Sequence, residues 1–195
     1  MDRVDGTYTD EALMVAAARD DLAAFEELVK RHQNRVYRMC YQLLHREEDA
    51  WDVSQEIFIK VYNARHSYVE NAKFTTWLYR IANNAAIDKI RQLKRKQNTM
   101  SMDDLVSEPP SKDRSTHHHL EMGDMKRQMS VALNALSERQ RSMVILKYYE
   151  GFSVKEIAEV FDCAVGTVKA TLFQAIKHVK TQMGKNGIVS SEVAP

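Results

Sequence analysis

Residues 153–183 read SVKEIAEVFDCAVGTVKATLFQAIKHVKTQM, two helical patterns broken by a three-residue turn. Ser153, with Glu156 three positions on, has the sequence of a capping box and starts a short helix whose Ile157, Ala158 and Phe161 point inward. Asp162-Cys163-Ala164 makes the turn, and an aspartate at its head tolerates left-handed backbone. A longer helix begins near Val165. On a helical wheel Val165, Val168, Leu172, Ala175, Ile176, Val179 and Met183 share one side. Lys169, Ala170, Thr171, Phe173, Gln174, Lys177, His178 and Lys180 occupy the other. This is the helix-turn-helix layout, in which the second helix enters the major groove. Phe173 sits among lysines rather than on the apolar side. From there a ring can meet a thymine methyl while Lys169 and Gln174 reach base edges or phosphates. No acidic residue falls between Asp162 and Glu192, so the surface approaches phosphates without repulsion. The alternative is a small bundle with a solvated lysine face and Phe173 in an interdomain contact.

Upstream the chain is also helical in pattern, and the expected fold class is all-α. Thr9 reads as an N-cap with Asp10 and Glu11 in the first turn, and Asp20 as the cap of a second helix. In that helix Leu22, Phe25, Leu28, Val29, His32, Val36, Met39, Cys40 and Leu43 recur at three- and four-residue steps. A third helix runs from about Glu47 to Ala64 with Ala50, Val53, Ile57 and Val61 on one face. Residues 65–73 break the pattern, and a fourth helix after Thr75 carries Leu78, Ile81, Ala82 and Ala85 inward. Beyond Lys96 the composition turns polar, with Pro109-Pro110 and His117-His118-His119, as expected of a flexible linker over 97–121. Periodicity resumes with Met122, Met125, Met129, Leu133 and Leu136, followed by a capping box at Ser137 and Gln140. Two small helical domains, 8–96 and 122–183, are therefore expected, with a frayed tail at 184–195.

The first domain has an acidic and a basic face. Asp49, Asp52 and Glu56 cluster away from the apolar face of the third helix; such a stripe is commonly a solvated surface and otherwise docks on a basic partner. The fourth helix ends in Lys89, Arg91, Lys94, Arg95 and Lys96, while Arg80, Asn84 and Arg91 line one side next to Trp77. Arg65, Tyr68, Lys73 and Phe74 precede it. Aromatic rings interleaved with cations suit unpaired bases, whose phosphates the cations meet. Taken alone, Phe74 and Trp77 read as core; the basic run, paired with a second basic helix downstream, favours nucleic acid.

Three segments together resemble the extracytoplasmic-function class of bacterial RNA polymerase sigma factors. Residues 49–58 (DAWDVSQEIF) resemble its core-polymerase-binding segment. Residues 74–84 (FTTWLYRIANN), followed by Asp88 and Arg91, resemble its melting and minus-ten-reading segment. Residues 165–169 (VGTVK), after Ile157-Ala158, resemble its minus-thirty-five-reading helix. The resemblance implies an alternative sigma factor, not an enzyme and without a cofactor, that binds core polymerase, recognises both promoter elements and promotes melting. It implies that Asp49, Asp52, Gln55 and Glu56 face the clamp helices of the polymerase's largest subunit. It implies that Arg65, Tyr68, Lys73, Trp77, Arg80, Asn84, Lys89, Arg91 and Arg95 bind the minus-ten element, with residues around 63–73 capturing a base flipped from the non-template strand. The minus-thirty-five duplex falls to Ser153, Thr167, Lys169, Ala170, Thr171, Phe173, Gln174 and Lys177. An anti-sigma partner is expected from the class.

Composition sets bounds on other readings. The chain has 195 residues, 44% of them hydrophobic and 28% charged, with formal net charge +1, so only the distribution of charge speaks to partners. Neither a membrane-spanning run nor a signal peptide is legible, and a cytoplasmic protein with reduced Cys40 and Cys163 is expected. A free-standing helix-turn-helix regulator would leave the acidic stripe and the first basic run unexplained. A metal or catalytic protein finds little support: three adjacent histidines do not converge on one ion, and the two cysteines lack zinc spacing.

Overall fold

A computed structural model describes residues 3–4, 7–69, 72–100 and 129–185. A two-residue antiparallel ladder pairs Arg3–Val4 (β1) with Thr7–Tyr8 (β2), and everything after it is helical. The helices are α1 (Asp10–Ala17), α2 (Leu22–Leu44), α3 (Glu47–Asn63), a 3-10 turn at Arg65–Ser67, and α4 (Phe74–Met100). The described part of α5 covers 129–134, and α6 (Glu138–Tyr148), α7 (Val154–Val160) and α8 (Val165–Lys185) follow.

Local chemistry accounts for most helix ends. The Thr9 hydroxyl accepts from the Ala12 N–H at 3.1 Å, capping α1 as its sequence predicts. The second cap lies one residue later than expected. Asp21, not Asp20, accepts from the Ala24 N–H at 3.1 Å, whereas Asp20 turns the chain at φ 65°. His45 ends α2 in the same left-handed region at φ 55°. Both capping boxes form, at Ser137–Gln140 and Ser153–Glu156. Helix α4 starts at Phe74, earlier than the expected start after Thr75, and its first N–H donates to the Glu11 carboxylate of α1 at 3.0 Å. A side chain 63 positions upstream thus caps it. Helix α4 also continues through Met100, past Lys96 where the composition changes.

The first module wraps α1, α3 and α4 around α2. Leu28, Val36, Met39 and Cys40 of α2 meet Ala50, Val53, Ile57 and Val61 of α3 and Leu78 and Ala82 of α4, all buried. Asp10 ties α1 to α2, accepting from Arg31 at 3.0 Å and lying 2.7 Å from His32 Nε2. Burial raises the Asp10 pKa, but His32 and Arg31 outweigh it and hold the carboxyl below its usual range. Leu22, read as part of the apolar stripe, is exposed at the start of α2.

The second module packs α6, α7 and α8. Met143, Ile145 and Leu146 meet Ile157 and Val160 of α7 and Val168, Leu172, Ala175 and Val179 of α8. Val165, assigned to the apolar side, is exposed in the first turn of α8. Asp162 adopts φ 47°, the left-handed conformation the turn requires. Gly151, at φ 76°, folds the chain back so that the Phe152 N–H reaches the Leu146 carbonyl at 2.9 Å. Met122, Met125, the histidine run and most of the linker and tail lie outside the described residues.

The two cysteines occupy different environments. Cys40 is fully buried, and burial pushes its thiol up to about 12, whereas Cys163 is partly open to solvent. A thiol-specific chromophore at pH 8 is expected to modify Cys163 at least tenfold faster than Cys40, whose rate should rise only on unfolding. Equal rates in the native protein contradict this packing.

Candidate nucleic-acid interface

The acidic stripe on α3 divides into two parts. Asp52, Gln55 and Glu56 project outward, and Glu56 pairs with Lys60 one turn on at 2.8 Å. Asp49 is turned back onto the module instead, 2.9 Å from Lys89 of α4 and 3.2 Å from Arg46. The outward face also carries two large apolar side chains that the charge pattern conceals, Trp51 at 57% exposure and Ile59 at 61%. Tyr37 of α2 lies edge-on to Trp51 at 6.0 Å and stacks with Tyr41 at 6.4 Å, making an aromatic patch beside the carboxylates. On the wheel Trp51 lies about 100° from Ala50, at the flank of the core face, and Ile59 about 200° from Ile57, opposite it. Those offsets are the signal by which both are found.

The nine side chains expected on the minus-ten surface have distinct surroundings. Arg65 is held locally, donating to Asp20 at 2.6 Å and to the Tyr62 carbonyl at 3.0 Å, with its guanidinium 4.1 Å above the Tyr62 ring. The Tyr68 hydroxyl donates to the Ala72 carbonyl, and its ring packs edge-on against the half-buried Trp77 at 5.3 Å. Phe74, fully buried, backs both rings, in keeping with its reading as core. Lys89 is committed to Asp49. Asn84, Arg91 and Arg95 lie exposed along the outer side of α4.

Lys73 and Arg80 meet the second module. Lys73 pairs with Glu156 of α7, and Arg80 donates to the Glu159 carbonyl at 2.7 Å. Asn83 is buried where the Ser142 hydroxyl donates to its side-chain carbonyl. Lys94 and Arg91 approach Glu138 at 2.7 and 3.8 Å. Deeper in, Glu150 takes the Tyr79 hydroxyl at 2.7 Å and Arg35 Nε at 3.1 Å on one carboxylate oxygen. Arg35 also donates to the Glu150 main-chain carbonyl at 3.0 Å. Tyr79 packs at a tilt against Phe152, ring centroids 4.8 Å apart, and Arg141 reaches back to the Leu43 carbonyl at the end of α2 at 3.2 Å. Asn84 and Arg91 border a cleft of about 830 Å³ between α4 and α5–α7. Sequence periodicity marks none of Arg35, Asn83, Ser142 or Glu150, because their role exists only across the two modules.

Glu156 links both levels of structure. Its Oε2 accepts from the Ser153 N–H at 2.7 Å, completing the α7 cap, while Oε1 faces Lys73. Lys73 foremost, opposed by partial burial and aided by Ser153, pulls this carboxyl down to about 2.

The outer side of α8 is different in kind. Thr167, Lys169, Ala170, Phe173, Gln174 and Lys177 are all exposed, Phe173 at 72%, and Thr171 is half-buried. Ser153, assigned to the same reader, spends its hydroxyl accepting from the Glu156 N–H at 3.2 Å. Among the described residues no cluster of three metal-ligating side chains exists, and no helix is long and apolar enough to cross a membrane.

Comparison with known proteins agrees with this geometry. Residues 28–96 match the model of Sigma-70 region 2, and residues 126–179 that of Sigma-70 region 4. The chain is 33% identical to the ECF RNA polymerase sigma-E factor of Haemophilus influenzae, over 90% of its own length and 95% of the relative's. Two solved structures share the fold at 22% identity. One is CnrH in complex with the cytosolic domain of CnrY, at TM-score 0.70 over 91% of this chain and 99% of the other. The second is RpoE of Bartonella quintana with the anti-sigma factor NepR, at TM-score 0.63 over 82% and 96%. The chain belongs to the extracytoplasmic-function class of RNA polymerase sigma factors. It is accordingly a promoter-recognising alternative sigma factor.

The split in the acidic stripe has a measurable consequence. Asp49→Ala strands a largely covered Lys89 and is expected to cost about 1–3 kcal/mol of stability. Asp52→Ala, on the open face, should stay within about 0.5 kcal/mol. Urea titration of both variants compares them, and equal losses contradict the inward role of Asp49.

Proposed function

We propose that the modules over residues 8–96 and 122–183 divide the work of initiation, joined by the segment between them. The first docks on core polymerase and handles the melted minus-ten element; the second reads the minus-thirty-five duplex. The observation that carries this is the separation of exposed charge: Asp52, Gln55 and Glu56 face outward on α3, whereas α8 presents Lys169, Phe173, Gln174 and Lys177 without an exposed acid among them.

Docking on polymerase falls to Asp52, Gln55 and Glu56, with Trp51 and Ile59 supplying apolar area at the centre of the contact. Asp49 positions the stripe by binding α4 to α3. An aromatic anchor ringed by charge is the usual composition of an energetic centre in an interface. Minus-ten recognition falls to Arg80, Asn84, Arg91 and Arg95 along α4, with Lys73, Tyr68 and Trp77 at its start, where rings back a base drawn out of the stack. Arg65 and Lys89 shape that surface through Asp20 and Asp49 rather than by free charge. Reading of the upstream duplex falls to α8, with Phe173 against a thymine methyl or the sugar backbone. Two modest readers on one tether reach useful affinity when both half-sites are spaced to suit them. The site of action is the cytoplasm, where the polymerase works, and an anti-sigma factor of the kind seen with the Bartonella relative is the proposed protein regulator.

The decisive experiment is promoter-specific transcription by purified core polymerase with and without this protein. Asp52→Lys combined with Glu56→Lys is expected to abolish co-purification with core while leaving the circular dichroism spectrum and melting temperature unchanged. Retention of binding removes the docking role. On the upstream element, Phe173→Ala should reduce open-complex formation at least fivefold more than Lys180→Ala, and equal effects would assign Phe173 to scaffold.

A further inference from the structure

The geometry points to α1 as a brace for the rings at the start of α4, with Glu11 and Asp20 as positioning residues that never touch promoter. This role rests on the proposed reading of Tyr68, Lys73 and Trp77 as receivers of a base drawn out of the stack, and it names what holds them in place.

Both clamps belong to the same short helix. In the first turn of α1 the Glu11 carboxylate accepts from the Phe74 N–H at 3.0 Å and so holds the first turn of α4. Three residues past the other end of α1, Asp20 takes Arg65 at 2.6 Å and holds the 3-10 turn that leaves α3. The eight residues of α1 span about 12 Å at 1.5 Å per residue, and a helix does not stretch. It therefore fixes how far apart Arg65 and Phe74 stand. Between the two clamps the Tyr68 hydroxyl donates to the Ala72 carbonyl, and the Ala72 N–H donates to the Val69 carbonyl at 2.8 Å.

The brace is itself anchored. Leu13, Met14, Ala16 and Ala17 are buried in the core of the module. Asp10 lies 2.7 Å from His32 Nε2 and takes Arg31 at 3.0 Å, while Arg31 also donates to the Tyr8 carbonyl at 2.8 Å. His32 in turn packs edge-on against Phe74, ring centroids 5.3 Å apart. Helix α1 thus reaches Phe74 twice, through Glu11 to its main chain and through Asp10 and His32 to its ring. Phe74 backs both Tyr68 and Trp77, 6.3 Å from each. On the other side Arg65 lies over Tyr62, whose ring packs edge-on against Phe25 of α2 at 5.0 Å.

Stability alone does not account for these acids. Asp20 is 70% exposed, and an exposed ion pair contributes little to folding. What the pair supplies is direction, because the Arg65 it aims is only 16% exposed. A binding platform works when its side chains are held within about 0.5 Å of the productive geometry, so groups that hold them matter without meeting the ligand.

The test uses holoenzyme assembled from core polymerase and the full chain. It is titrated with fluorescein-labelled non-template minus-ten strands of a promoter it transcribes, one intact and the others abasic at each position in turn. The wild type should lose about tenfold in affinity at the captured position, the worth of one base stacked on a ring. Glu11→Ala and Asp20→Gly should bind the intact strand about tenfold more weakly and that abasic strand as the wild type does, so the preference disappears. Glycine at position 20 keeps the left-handed backbone, φ 65°, while removing the carboxylate. Glu11→Gln retains an acceptor for the Phe74 N–H and should retain most of the preference. A variant that only loosens the fold would instead weaken both strands alike and lower the melting temperature.

Wild-type preference in both Glu11→Ala and Asp20→Gly overturns the brace, and so does equal weakening of intact and abasic strands in both. Asp20→Gly, which removes a side chain open to solvent, decides the matter if Glu11→Ala fails to fold. A wild type that loses affinity at no abasic position overturns base capture, and the brace falls with it, while docking on core and reading of the upstream duplex stand.

Discussion

The structure turns on α4, a single helix that must serve three neighbours. Because a helix advances 100° per residue, adjacent positions face different ways, and α4 uses this in triplets. Leu78 enters the first module's core, Tyr79 points at Glu150, and Arg80 reaches α7. One turn later Ala82 is core, Asn83 meets Ser142, and Asn84 stays open. A residue inserted between the two triplets would rotate every later side chain onto the wrong neighbour.

Electrostatics then follows from placement rather than from total charge. With a net of +1, the chain has nearly as many acids as bases, and segregation creates its surfaces. Acids of the second module face cations of the first where the two pack, and α8 turns its cations outward to solvent. The same carboxylates that make the chain self-complementary are therefore kept away from the helix proposed to read duplex DNA. Glu156 shows how economical this is, capping α7 with one oxygen and holding Lys73 with the other.

The α3 face proposed to meet the polymerase illustrates a second constraint. A helix lying on the surface of a module cannot hide every residue off its core face, and α3 leaves Trp51 and Ile59 in the open next to Asp52 and Glu56. Exposed apolar side chains ringed by charge are a cost to a free protein and an asset at an interface. Asp49 escapes that surface because it lies close enough to α4 for Lys89 to reach it.

Local patterning was enough to set the helix inventory. Three- and four-residue periodicity, the capping boxes at Ser137 and Ser153 and the left-handed aspartate at 162 depend on interactions within a few residues, and these the chain carries wherever it folds. The apolar faces of α2, α3 and α8 were legible for the same reason, except at helix starts, where Leu22 and Val165 precede the first packed turn. Long-range geometry decided the rest. The start of α4 depends on Glu11, the division between Asp49 and Asp52 on where α4 lies, and the occupation of Lys73, Arg80 and Asn83 on the return of α7. Periodicity records which way a side chain faces from its own helix axis; what it faces is settled only when distant helices pack, and Glu150, isolated in a turn between two helices, had no pattern of its own to announce it.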